Sequence, residues 1–235
     1  MSSLSRSVRS DQGRPSQISE GPPSSCSPAA FSGRSVVIDC ETTGLSPHGG
    51  DRMVSFAAIE TFGGKPSGRG LYLIFNPGRK CHPAAQRVHG LSDHLLSFQP
   101  PFADHAREVR EFVSNATLVG HNVRFDIGFL SAEFALCGMP DVKNPHVCTM
   151  QAFRRRFPGN RASLDSACTV LEMDTHARAA HHGAWVDASL ALAVFQVIVL
   201  GQKSYSRMEM LTPTNFVEPR PVQRRQPSGR AFQRH

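Results

Sequence analysis

The chain has 235 residues, 40% of them hydrophobic, enough for one substantial core with extensions. The net charge is +7, yet residues 35–200 hold 15 basic and 15 acidic groups, so the excess lies in residues 1–34 (+2) and 201–235 (+5). No apolar run is long and uninterrupted enough for a membrane span, and no apolar stretch near the start suggests a secretory signal; a cytoplasmic protein without membrane attachment is expected.

Residues 1–34 are rich in Ser, Pro, Gly and Arg and lack apolar periodicity, so they read as a disordered extension. The Arg and Ser content suits a transit peptide, but Asp11 and Glu20 argue against one. A buried strand then opens at residues 35–40, where Val36, Val37 and Ile38 are β-branched. Side chains alternate along a strand, so Asp39 and Glu41 share a face. Thr42-Thr43-Gly44 turns the chain. Strands follow at residues 53–62 and 71–76, with turns expected at Gly63-Gly64 and from Pro66 to Gly70.

Next come a helix at residues 102–113, a strand at 117–119 and a turn at Gly120-His121-Asn122. The helix at 124–137 carries an apolar stripe of Phe125, Phe129, Leu130 and Phe134, and Asp126 falls near its start. For a lone acid there, the ordinary reading is stabilisation by the helix dipole. A short strand is expected near residues 146–148, with Thr149 capping the helix after it. The last helix runs to about residue 200, is apolar on nearly all faces and holds Asp187 inside it. His181 and His182 precede it, and composition alone does not choose between them. Three strands followed by alternating helices and strands give an α/β domain over residues 35–200, a mixed sheet flanked by helices. Residues 201–235 read as a basic disordered tail, with four Pro and five Arg after residue 211.

Six cysteines are present without a Cys-x-x-Cys pair, so reduced thiols are expected and a structural zinc is not. Asp39, Glu41, Asp126 and Asp187 are another matter. Four acids lie on apolar elements with no equal number of Lys or Arg nearby in sequence. Ionised groups in such places need a cation, and an all-oxygen set suits hard divalent ions such as Mg²⁺ or Mn²⁺. With one histidine as proton acceptor, the set fits metal-assisted phosphodiester hydrolysis.

Taken together, three segments resemble the signature motifs of the DEDDh 3′→5′ exonucleases, the superfamily that includes the epsilon proofreading subunit of bacterial DNA polymerase III. They are Asp39-Cys40-Glu41-Thr42-Thr43-Gly44-Leu45, then His121, Asn122, Phe125, Asp126, Phe129 and Leu130, then His182, Ala184, Asp187 and Ala188. Val88-His89-Gly90-Leu91 and the run from Phe157 to Asp165 add likeness to the epsilon branch; Cys148-Thr149 stands where an Asp-Thr is often found, and the tail has no counterpart. The resemblance implies a ribonuclease H-like fold and two Mg²⁺ or Mn²⁺ ions held by Asp39, Glu41, Asp126 and Asp187. It selects His182 over His181 as general base. It places Thr42, Thr43, Leu45, His89, Asn122 and Phe125 against the terminal nucleotide. The implied activity is removal of nucleoside 5′-monophosphates from single-stranded or frayed DNA 3′ ends, in proofreading or repair, with a DNA polymerase subunit as a further partner. Two alternatives stay open: an RNA 3′ exonuclease of the ribonuclease T or oligoribonuclease type, and a non-catalytic nucleic-acid or polymerase-binding module.

Overall fold

The computed structural model describes residues 33–178, 183–203 and 205. Nearly all of the two extensions, together with His181 and His182, lies outside these residues. Five strands form one mixed sheet: β1 (Arg34–Thr42), β2 (Met53–Phe62), β3 (Lys65–Ile74), β4 (Thr117–Gly120) and β5 (His146–Cys148), in the order β3-β2-β1-β4-β5. The first three pair antiparallel, whereas β4 joins β1 and β5 joins β4 in parallel. Strand β1 is therefore central and flanked on both sides, which is why Val36, Val37 and Ile38 are wholly buried.

The period of two along β1 divides the core. Val36, Ile38 and Cys40 pack on one face with residues of α3 (Phe102–Val113) and α4 (Val123–Leu136). Val37 points to the other face, where Ala57, Ile59 and Val119 meet Ala184, Ala188, Ala191, Leu192 and Phe195 at α7 (Ala184–Val194). The small residues of α7 let it lie close to the sheet. Trp185 sits on Gly70, where a side chain would lie 2.6 Å from the indole. Asp39 and Glu41 follow Val37 on this second face.

Several elements differ from the sequence expectation. Pro66 to Gly70 is not a turn but part of β3, where the register jumps between Ile59 and Thr61. Glu60 is the buried hub of this bulge: it accepts Ser67 Oγ at 2.7 Å, Arg69 Nη1 at 3.2 Å and Arg34 Nε at 2.6 Å. Gly68 adopts φ +89, a left-handed conformation that glycine takes without strain. The helices α1 (Pro83–His89) and α2 (Asp93–Leu96) had no apolar period to reveal them; they start on the side-chain caps of His82 and Ser92. Thr149 does not cap α5 (Thr149–Arg156). It is already the first helical residue, and its hydroxyl serves His121 and the Gly120 carbonyl instead. After α6 (Leu164–Val170) and α7, the chain widens into a π-helical turn at Phe195–Val199. Cys40, Cys81, Cys137, Cys148 and Cys168 are free thiols. Among the described residues no helix is long and apolar enough to cross a membrane.

One ion pair with a buried carboxylate and a half-buried arginine ties the sheet to α4. Glu133, 2% exposed at its side chain, accepts Arg52 Nε at 2.8 Å, Arg52 Nη2 at 2.7 Å and Met53 N at 3.0 Å. Removing Arg52 would leave that carboxylate buried and uncompensated. Arg52→Ala is expected to lower unfolding free energy by about 3 kcal/mol, measured by urea denaturation at pH 7; a loss below about 1 kcal/mol would contradict the pair's role.

Candidate active site

The site forms where β1 runs out of the sheet. Asp39 and Glu41 emerge half-buried on the α7 face, and Asp187 comes from the first turn of α7, 6% exposed. One ligand oxygen from each of these three acids lies within 4.8 Å of the others, close enough to share a metal ion. Asp126, in the first turn of α4, is 4% exposed. Its Oδ1 accepts the backbone N–H of Cys40 at 3.0 Å, so α4 is fastened to β1 between the two strand acids. This bond, rather than the helix dipole alone, explains why an acid stands at that position.

Burial and crowding bias Asp39, Glu41 and Asp126 toward protonation. Burial, followed by the charges of Asp126, Asp187 and Glu41, raises Asp39 well above the usual carboxylate range, and Arg178 opposes the rise. Burial and then Asp187 and Asp126 push Glu41 up to about 8, again against Arg178. Burial brings Asp126 to about 7 although hydrogen bonds from Cys40 and its own backbone hold it down. A cluster of oxygens this desolvated is short of positive charge, and its donor set suits a hard divalent ion.

The positive charge that does reach it was missed by sequence reasoning. Arg178 donates Nε to Asp187 Oδ1 at 2.6 Å and Nη2 to Asp187 Oδ2 at 2.9 Å, while Nη1 bonds Asp165 Oδ1. Arg178 stands in a short 3₁₀ turn, His176–Arg178, where no periodic signal marks it. Tyr72 was also missed. The sheet register aligns Asp39 with Ala57 and Ala57 with Tyr72, so all three share a face. Tyr72 packs beside Trp185, with ring centroids 6.5 Å apart.

The turn after β1 is built by its own side chains. Thr42 Oγ1 donates to Gly44 O at 2.5 Å, and Thr43 Oγ1 donates to Asp51 Oδ1 at 3.0 Å while accepting Arg52 N. Thr43 is wholly buried, whereas Leu45 at the tip of the turn is 83% exposed. His82 N donates to Thr43 O at 2.7 Å and brings α1 beside the turn. His89 ends α1, buried, with Nδ1 accepting Leu91 N at 3.0 Å. Asn122 is exposed at φ 74, and Phe125 is half-buried against Phe129. His121 ties the end of β4 to the segment before α6: Nε2 meets Ala162 O at 2.9 Å and Nδ1 meets Thr149 Oγ1 at 3.0 Å. Burial is the main cause that lowers its pKa. His182 lies outside the described residues, one residue before Gly183, the N-cap of α7.

A family model described as Exonuclease matches residues 36–195, a span that includes all four acids. The chain belongs to this exonuclease family. Among its relatives, the DNA polymerase III epsilon subunit of Escherichia coli K12 is 35% identical over 179 residues, covering 73% of each chain. The epsilon subunit of Rickettsia conorii is 35% identical over 179 residues, 74% of this chain and 77% of that one. Solved structures of exonuclease I share the architecture. E. coli exonuclease I with a dT13 oligonucleotide superposes with TM-score 0.61 at 18% identity, over 71% of this chain and 41% of that chain. The zinc-bound form of the E. coli exonuclease I–single-stranded DNA complex gives TM-score 0.62 at 18% identity, over 72% and 41%. This chain thus spans about two fifths of exonuclease I, and at such identity the likeness establishes the ribonuclease H-like fold.

The raised acids make a prediction about the metal-free protein. A carboxyl that binds its proton more tightly folded than unfolded stabilises the fold below the unfolded pKa and loses that contribution as pH rises through the folded one. For Glu41 the window runs from about 4.5 to about 8. In excess chelator the melting temperature should therefore fall between pH 5 and pH 8, and Glu41→Gln should raise it at pH 8 by on the order of 5 °C. A flat profile, or a Gln variant less stable at pH 8, would contradict the proposed crowding.

Proposed function

We propose that the chain is a metal-dependent 3′→5′ exonuclease that shortens DNA from its 3′ end and releases nucleoside 5′-monophosphates. The observation that carries this reading is the convergence of Asp39, Glu41 and Asp187 within 4.8 Å, with Asp126 adjacent, in a chain of the exonuclease family. The residues fit two divalent ions, Mg²⁺ or Mn²⁺: the donors are all carboxylate oxygens, desolvated and mutually repulsive. When bound, the ions supply a lowered water pKa and stabilisation of charge building on the phosphoryl and leaving oxygens.

The protein's own groups do the rest. Asp39 and Glu41, fixed on one face of a buried strand, hold their half of the site without rearrangement. Asp126 is locked by Cys40 N, and Asp187 by the packing of α7 on the sheet. His182 takes the proton of the attacking water, which requires an uncharged imidazole. Leu45, exposed at the turn, packs on the terminal nucleotide, with Thr42 and Thr43 offering backbone groups and His89, Asn122 and Phe125 completing that subsite. A terminal base must leave its stack to reach the carboxylates, so single-stranded and frayed ends are preferred. Likeness to epsilon subunits over most of their length supports DNA over RNA, a proofreading role beside a replicative polymerase, and a cytoplasmic setting. The basic residues of 1–34 and 201–235, which lie almost wholly outside the described residues, would hold DNA phosphates in a salt-dependent way.

Asp39→Ala and Asp126→Ala should each abolish cleavage yet give a folded protein. His182→Ala should slow turnover by about 10²–10⁴-fold with Mn²⁺ binding retained, and His181→Ala should be mild. Assay nucleotide release from 3′-frayed DNA in Mg²⁺; full activity in either Asp variant would remove the site. A larger defect in His181→Ala would move the base by one residue. With labelled DNA and RNA of one sequence, faster release from DNA is expected. Faster release from RNA would favour the ribonuclease reading, and none from either would favour a binding module.

A further inference from the structure

The carboxylate cluster is not bare in the metal-free protein. Arg178 covers both oxygens of Asp187 through two N–H groups, and its third nitrogen is anchored on Asp165 of α6. The side chains of Arg178 and Asp187 are each only 8% exposed, so the guanidinium is a buried partner and not a surface ion pair. It is also the cation that opposes the crowding at both Asp39 and Glu41. Yet Asp187 supplies one of the three oxygens that converge within 4.8 Å. A divalent ion placed among those oxygens would lie next to a guanidinium that shares one of its ligands, and like charges so close in a desolvated pocket repel strongly.

We propose that Arg178 is the resident counter-cation of the cluster and that metal loading is an exchange, in which an incoming divalent ion displaces the guanidinium from Asp187. The inference rests on the reading of Asp39, Glu41 and Asp187 as metal ligands. It gives Arg178 a positioning role: it holds Asp187 in place and limits repulsion among the acids until an ion arrives. The metal affinity of the site is then set partly by how well the guanidinium clamps Asp187. A simple electrostatic field from Arg178 would depend only on charge, whereas a clamp depends on the paired N–H geometry that lysine lacks.

That difference separates the two by experiment. In calorimetric titrations of the full chain with Mn²⁺, Arg178→Gln should bind about tenfold more tightly than wild type, and Arg178→Lys, which keeps the charge, about three- to fivefold more tightly. Independently, the Nε–H signal of Arg178 in ¹⁵N spectra of wild type, identified by its loss in Arg178→Lys, should be protected in chelator and lose protection as Mg²⁺ is added. An Arg178→Lys variant that binds Mn²⁺ no better than wild type, or an Nε–H signal that stays protected at saturating Mg²⁺, would overturn the exchange. Wild type that takes up no Mn²⁺ at all would remove the metal-site reading and the exchange with it.

Discussion

Repulsion among carboxylates in a dry setting is the constraint around which this molecule is arranged. Isolated in an apolar pocket, such groups would protonate or push apart. Here they are held by structure that does not yield: a central strand paired on both sides, a helix on one face fastened to that strand through Asp126, and a second helix packed flat on the opposite face through Ala184, Ala188 and Ala191. The core thus spends part of its stability keeping negative charge together. That strain is useful only if a cation relieves it during the reaction.

The way each acid is held decides how precisely the site is set. Asp39 and Glu41 inherit their spacing from the strand, so no loop motion can change it. Asp187 depends on how closely α7 approaches the sheet, which the alanines of the helix and the bare backbone of Gly70 permit. Away from the site, the Glu133–Arg52 pair and the Glu60 hub tie α4 and the β3 bulge to the same sheet. In each, a buried carboxylate within the frame that carries the acids is partnered by arginine.

Much of this was legible in the sequence, for physical reasons. Alternation along β1 placed Asp39 and Glu41 on one face, and β2, α3 and β5 lie at the bounds expected for them. The motif spacing pointed to Asp126 and Asp187 and to the family. What escaped was whatever depends on contacts between distant segments without periodicity. Ser67 to Arg69 look like a turn because the partner that makes them a bulge, Glu60, lies on the neighbouring strand. Thr149 looks like a cap because its actual partners belong to the β4 turn. Arg178 is one arginine in an irregular stretch, and only the fold brings it to Asp187.

The central claim is that the acids at the end of β1 form a divalent-cation site. Crystals of the full chain soaked in Mn²⁺ and measured for anomalous scattering test it most directly. The account predicts anomalous density within about 2.0–2.6 Å of carboxylate oxygens of Asp39, Glu41 and Asp187, and its absence in crystals of Asp39→Ala. Saturating Mn²⁺ with no density among these oxygens, or density that persists unchanged in Asp39→Ala, would contradict it.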